Sequence, residues 1–186
     1  SSTAVSNTAW ASVNIGSVDS SYLSWNGSVD DVRLSSAPLY ASAFNVPTEP
    51  HLYMPSTLFL QSSDIPLNTQ QNTYSVSYVN TGNVSIATDN KQFGSASPKF
   101  DSTLSNYFSL RGLPNTPNTW TIELWVYLKS WVNNRTILYS ENSQALIMYV
   151  NANGAMTVGI SVDNSTFWNY ILSTSNNTLP MNTWTH

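Results

Sequence analysis

The chain has 186 residues and a formal net charge of −4, with 9% charged residues and only six Lys and Arg. So few cations exclude a nucleic-acid or anionic-membrane surface, which needs clustered positive charge, and no apolar run reaches the ~18 residues of a membrane helix. Hydrophobic residues supply 41% and aromatics 12%, enough for a packed core, so general disorder is excluded as well.

Taken in chain order, residues 9–15 and 21–25 read as strands. Asn26-Gly27 reads as a turn, and 29–34 as the returning strand. Ser36-Ala37-Pro38 has the chemistry to cap one helical turn through Ala43, because Ser accepts from free amides and Pro suits an early helical position. Two prolines, Pro47 and Pro50, then interrupt the pattern and mark residues 46–50 as a linker, and the polar stretch 61–72 reads as loop. The clearest element is residues 119–129. Trp120, Ile122, Leu124, Val126 and Leu128 fall on one face, and Thr121, Glu123, Trp125, Tyr127 and Lys129 on the other. That strict period of two is a half-buried strand with an aromatic-rich outer face, and a helix cannot satisfy it. Strands follow at 136–140, 145–150, 156–162, 166–172 and from Trp184 onward. Asn153-Gly154 sits between two of them and suits the positive φ angles of a type I′ hairpin turn. No segment carries a sustained helical stripe. Short strands joined by polar turns predict an all-β protein, an antiparallel β-sandwich of jelly-roll type. The 30 Ser, 19 Thr and 22 Asn, 38% of the chain, fit that prediction, since their side chains bond local backbone in turns.

Several motifs together resemble the laminin-G-like and concanavalin A-like lectin modules. Lys91-Gln92-Phe93-Gly94-Ser95, Lys99-Phe100-Asp101 and Asn106-Tyr107-Phe108-Ser109-Leu110 resemble the family's opening strands. Thr119 to Val126 resembles the next strand, and Asn182-Thr183-Trp184-Thr185-His186 the start of the one after. Tyr22 to Leu34 is similar to the closing strand, yet it comes first. Residues 1–46 would therefore supply closing strands, 47–72 a linker and loop, and 73–186 opening strands. The closing strands belong either to a preceding module of a tandem array or to a permuted domain that closes on itself, or neighbouring chains complete the pieces as in a fibre. Tandem or assembled modules are the reading placed first. The Asn-, Ser- and Thr-rich phrasing is similar to modules of phage virion appendages and of bacterial or archaeal surface proteins. That resemblance implies a virion, extracellular or cell-surface setting, with neighbouring copies or modules and surface glycans as partners.

The residue chemistry points away from catalysis. Glycoside hydrolysis needs two carboxylates aimed at one bond. Glu123 is the only carboxylate on the best strand and reads as an outer-face or rim residue. Asp30 and Asp31 are adjacent, so strand geometry sends them to opposite faces. His51 and His186 lie at the linker and the chain end, and zero Cys excludes thiolate chemistry. No cofactor is required. The family resemblance implies that a loop rim could hold calcium, for which Asp30, Asp31, Asp101 and Asp163 are the available carboxylates; the plainer reading is that Asp30 caps or pairs with Arg33 or Arg111 and that Asp163 sits in a turn. Glycan binding is the more natural ligand chemistry, because sugars stack on aromatic rings while amides bond their hydroxyls. Trp131 with Asn133 and Asn134, and Trp168 with Asn169 and Tyr170, are the candidate contacts, although core packing accounts for a Trp more often than ligand contact does. Trp125, on the outer face, could equally pack against a neighbouring subunit. Asn26, Asn83, Asn134, Asn164 and Asn176 head glycosylation sequons, which matter only in a secreted eukaryotic or archaeal protein.

Overall fold

The computed structural model describes residues 12–18, 24–61, 77–81, 84–102, 106–111, 113, 119–131, 134–141, 146–161 and 169–186. The regular structure among them is all strand: β1 (Ser12–Ile15), β2 (Asn26–Ser35), β3 (Thr57–Gln61), β4 (Ser77–Thr81), β5 (Ser85–Ala87), β6 (Ser97–Asp101), β7 (Tyr107–Arg111), β8 (Thr121–Leu128), β9 (Arg135–Glu141), β10 (Leu146–Val150), β11 (Met156–Ile160), β12 (Tyr170–Ser173) and β13 (Trp184–Thr185). Seven form one sheet in the order β12-β11-β10-β9-β1-β7-β4; the other runs β13-β8-β2-β6-β5, with β3 also on β2. The neighbouring strands pair antiparallel. The expected antiparallel β-sandwich is therefore the fold.

The alternation of β8 sets the layers. Leu124, Val126 and Leu128 are buried, Ile122 packs against them, and across the interior lie Val13, Ile15, Phe108, Ile137 and Leu138. Trp25, Phe59 and Phe100 are also fully enclosed. Each large apolar side chain so buried contributes ~1.5–3 kcal/mol. Strands from the first part of the chain sit among those from the later part. β1 lies between β7 and β9, and β2 between β8 and β6.

Three local expectations are corrected by the structure. Asn26-Gly27 is not a turn: both residues lie in β2, where Gly27 pairs with Phe100 and Leu128. Its backbone has φ 150°, and a Cβ there would meet the Tyr127 carbonyl oxygen at 1.8 Å, so a close approach of two strands is what requires glycine. No helical turn follows Ser36. The Leu39 amide donates to Thr121 Oγ1 at 3.0 Å, and that hydroxyl donates to the Ala37 carbonyl at 2.8 Å, so β8 takes the groups a helix would have used. The β10–β11 hairpin exists, but its loop has five residues rather than two. Asn151 Oδ1 accepts from the Asn153 and Ala155 amides, and Gly154 takes the positive φ. Within the stretch read as linker and loop, residues 57–61 form β3, whose five residues are all buried.

Gly27→Ala is expected to lower stability by at least ~2 kcal/mol, because backbone of a central strand would have to move. Urea unfolding checks this, with exposed Gly94→Ala, at φ 57°, expected to cost about 1 kcal/mol.

Candidate functional site

On the outer side of the six-stranded sheet, β2 and β8 run side by side, with Ser28 opposite Tyr127, Asp30 opposite Trp125 and Arg33 opposite Glu123. Two residues, Asp31 and Val32, are squeezed out of register between those pairs, and Asp31 takes φ 50°. This bulge resets the alternation of β2. Val32 enters the core, while Asp31 reaches the same side as Glu123, since both meet His51. The expectation that Asp30 and Asp31 point to opposite faces fails for that reason.

A cluster of polar side chains occupies this side. Arg33 Nε donates to Glu123 Oε2 at 2.7 Å and Nη2 lies 2.5 Å from the same oxygen. The Tyr40 hydroxyl donates to Glu123 Oε1. His51 Nε2 lies 3.4 Å from Oε1, while its Nδ1 lies 2.9 Å from Asp31 Oδ2 and its backbone amide donates to that oxygen at 2.7 Å. Asp30 caps backbone amides. Its carboxylate accepts from the Asp31, Gln92 and Phe93 amides. The His186 ring lies 5.3 Å from Trp125 and 5.5 Å from His51, centroid to centroid, and Phe93 meets Trp125 edge-on.

Glu123 is thus 4% exposed and Trp125 7%, where an outer-face or subunit-contact position was expected. The reason is the cover. Residues 36–56, read as helical turn and linker, lie across the sheet and are tied to it by Thr121, Glu123, Asp31 and Arg33, the last also donating to the Leu52 carbonyl at 3.3 Å. Beside the cluster a cavity of about 290 Å³ runs from Tyr40, Phe44, Glu123 and His186 to core residues including Ile137 and Met148.

The electrostatics follow from burial and partners. Burial alone would push the Glu123 carboxyl up, but hydrogen bonds from His51, Tyr40 and Arg33 outweigh it and hold the carboxyl at about 2. Burial disfavours a charged His51, yet its bonds to Asp31 and Glu123 raise it to about 9. Burial, with the charge of His51 next, lowers His186. At neutral pH the cluster without any bound ion therefore holds an ionised Glu123, a protonated His51 and a neutral His186.

The residues singled out for glycan contact are distributed differently. Trp131 is half-buried, packs on the core and donates through Nε1 to the Leu179 carbonyl at 3.2 Å. Its ring also fills the space where a Gly154 Cβ would be, 2.9 Å away. Asn134 is exposed just before β9. Asn169 and Tyr170 are exposed side by side at the start of β12, and Asn169 Oδ1 accepts from Ser161. Asn133 and Trp168 lie outside the described residues, as does Asp163. Tyr170 pairs with Ile160 and Gly154 precedes Met156, so β11 separates the Trp131 and Asn169–Tyr170 positions by ~13 Å. Of the calcium candidates, Asp101 accepts from Asn106. Among the described residues, the donors close enough to share one ion are His51, Glu123 and His186, within 4.8 Å of one another.

The four residues that accompany Glu123 had no signal as a set. Asp31, Arg33, Tyr40 and His51 precede it by 72 to 92 residues, and a bulge and a long cover segment bring them in. The hint available was a lone carboxylate between Thr121 and Trp125 on a strand whose outer face is aromatic.

The charged cluster predicts a pH profile for the metal-free protein. His51, raised in the fold, contributes fully below its ordinary value of 6.5, and that contribution is lost as pH climbs through about 9. Glu123, lowered in the fold, contributes fully above 4.5, and its contribution is lost as pH falls toward 2. The melting temperature should be highest between these limits. Glu123→Gln should lower it and flatten both flanks, as a scan of Tm against pH measures.

No curated protein and no solved structure matches the chain. Residues 100–186, from the end of β6 through β13, match the model of the Concanavalin A-like lectin/glucanases superfamily, which supports a module similar to the laminin-G and concanavalin A type in that part of the chain.

Proposed function

We propose that the protein is a non-catalytic structural or adhesion module of an extracellular surface assembly or virion appendage, contributing carbohydrate recognition. The observation that carries this reading is the match to a superfamily of lectins and glucanases, taken with the state of Glu123. A glycosidase needs one carboxyl held protonated near neutral pH and a second held as base or nucleophile. Glu123 is locked as an anion by three donors, and Asp30 and Asp31 are engaged by backbone amides and His51. A buried, paired carboxylate of this kind supports the sheet and its cover rather than acid catalysis.

Sugar contact then falls to exposed aromatic faces with amides beside them. Tyr170, 50% exposed, with Asn169 is the pair best suited, and Phe44 at the cavity mouth is a second ring. Trp131 is occupied by packing, so it serves the scaffold. We further infer that residues 1–46 and 73–186 form one sandwich with permuted order, a reading supported by the pairing of β1 and β2 with later strands.

A purely structural reading is favoured by one observation. β12, at the end of the seven-stranded sheet, exposes Ile171 at 60% and Leu172 at 68%. An edge strand carrying apolar side chains is a template for another chain.

A glycan array should give selective binding that Tyr170→Ala or Phe44→Ala weakens by about tenfold, the scale of ~1.5 kcal/mol in stacking. Silence across the array would leave the structural role alone. Release of reducing ends from any polysaccharide, abolished by Glu123→Gln in a folded protein, would contradict the non-catalytic assignment. In sedimentation, Leu172→Lys should weaken self-association by about tenfold or more; an unchanged profile would remove β12 as the contact.

A further inference from the structure

The cluster around Glu123 contains ring nitrogens that make no hydrogen bond. His51, 6% exposed, has its Nδ1 fixed by Asp31, so the neutral ring presents its lone pair at Nε2. That Nε2 faces Glu123 Oε1 at 3.4 Å as an ion pair but makes no well-aligned hydrogen bond, and Nε2 of His186 is buried without a hydrogen-bond partner. Glu123 Oε1 accepts from Tyr40 and retains a second lone pair, while Oε2 is held by Arg33. From these observations we propose that His51, His186 and Glu123 bind one divalent transition-metal ion of the zinc class.

The spacing suits such an ion. His51 Nε2 and Glu123 Oε1 are 3.4 Å apart, close to the ~3.3 Å edge of a tetrahedron with zinc bonds of ~2.0–2.1 Å. All three donors lie within 4.8 Å, so a shift of roughly 1 Å in the His186 side chain completes the three-ligand face. Supporting groups stand behind each ligand that the fold fixes. Asp31 orients His51, and Tyr40 and Arg33 orient Glu123, the carboxylate–histidine arrangement typical of groups that back metal ligands.

Charge and donor type agree. Asp31 and Glu123 are buried carboxylates with Arg33 as the guanidinium beside them, so with neutral imidazoles this group carries net negative charge. A divalent ion offsets it. Two imidazoles and one carboxylate select zinc, cobalt, nickel or copper over calcium, which takes six to eight oxygens. The remaining position faces the cavity lined by Glu123 and His186, where a water or a ligand oxygen fits.

Metal-free protein titrated with Zn²⁺ in a calorimeter should bind one ion per chain and melt at higher temperature. Co²⁺ should give the visible absorption of a four-coordinate site. The ¹⁵N resonances of Nε2 in His51 and His186 should both move on Zn²⁺ addition, a readout needing no variant. His186→Ala, checked for folding by circular dichroism, should weaken binding by more than about tenfold. The proposal is overturned by no saturable Zn²⁺ binding below about 100 µM, by unmoved Nε2 resonances, or by a folded His186→Ala that binds as the parent does.

Discussion

The ion pair between Arg33 and Glu123 joins β2 and β8, the two longest strands among the described residues, beneath the segment that covers this side of the sheet. Taking both charges out of water is costly, and their attraction repays it because further donors meet the buried carboxylate. Tyr40 and His51 supply the further bonds to Glu123, and both belong to the covering residues 36–56. The ion pair therefore fixes the cover, and the cover in turn keeps water from the pair. Removing either partner would leave a buried charge alone, a loss on the order of 3–5 kcal/mol.

The bulge in β2 makes this arrangement possible. Without the extra residue, Asp31 would turn into the core, where a carboxylate has no partner. With it, Val32 packs among Phe59 and Leu124 while Asp31 meets His51 on the outer side. The strand changes partners at the same place. Its first residues pair with β6 and its last with β3, both along the edge opposite β8. One irregularity thus serves the sheet's pairing, its core and its charged face.

What could be read from residues alone follows from these distances along the chain. The alternation of residues 119–129 identifies β8 because both the signal and its cause are local. The core face of that strand, and the hairpin formed by β10 and β11, are legible on the same grounds. The charged cluster is not, since alternation counted through Asp30 and Asp31 assumes a regular strand, and a bulge leaves no mark in composition. Asn26-Gly27 misleads in a related way. Glycine signals a turn or a close approach, and only the Tyr127 carbonyl above it decides which. Pro47 and Pro50 suggest a linker, yet the segment around them is anchored by polar contacts to residues far along the sequence. His51, read as a linker residue, is one of those anchors.

The proposed role of Glu123, a carboxylate spent on structure and not the acid of a glycosidase, is tested by its protonation state. The most direct measurement is the ¹³C shift of the Glu123 carboxyl followed by NMR across pH in the metal-free protein. A carboxylate held by Arg33, Tyr40 and His51 remains ionised until the solution approaches pH 2. A midpoint at 4.5 or above would contradict the account, because it would mean a carboxyl released from the network and available as an acid.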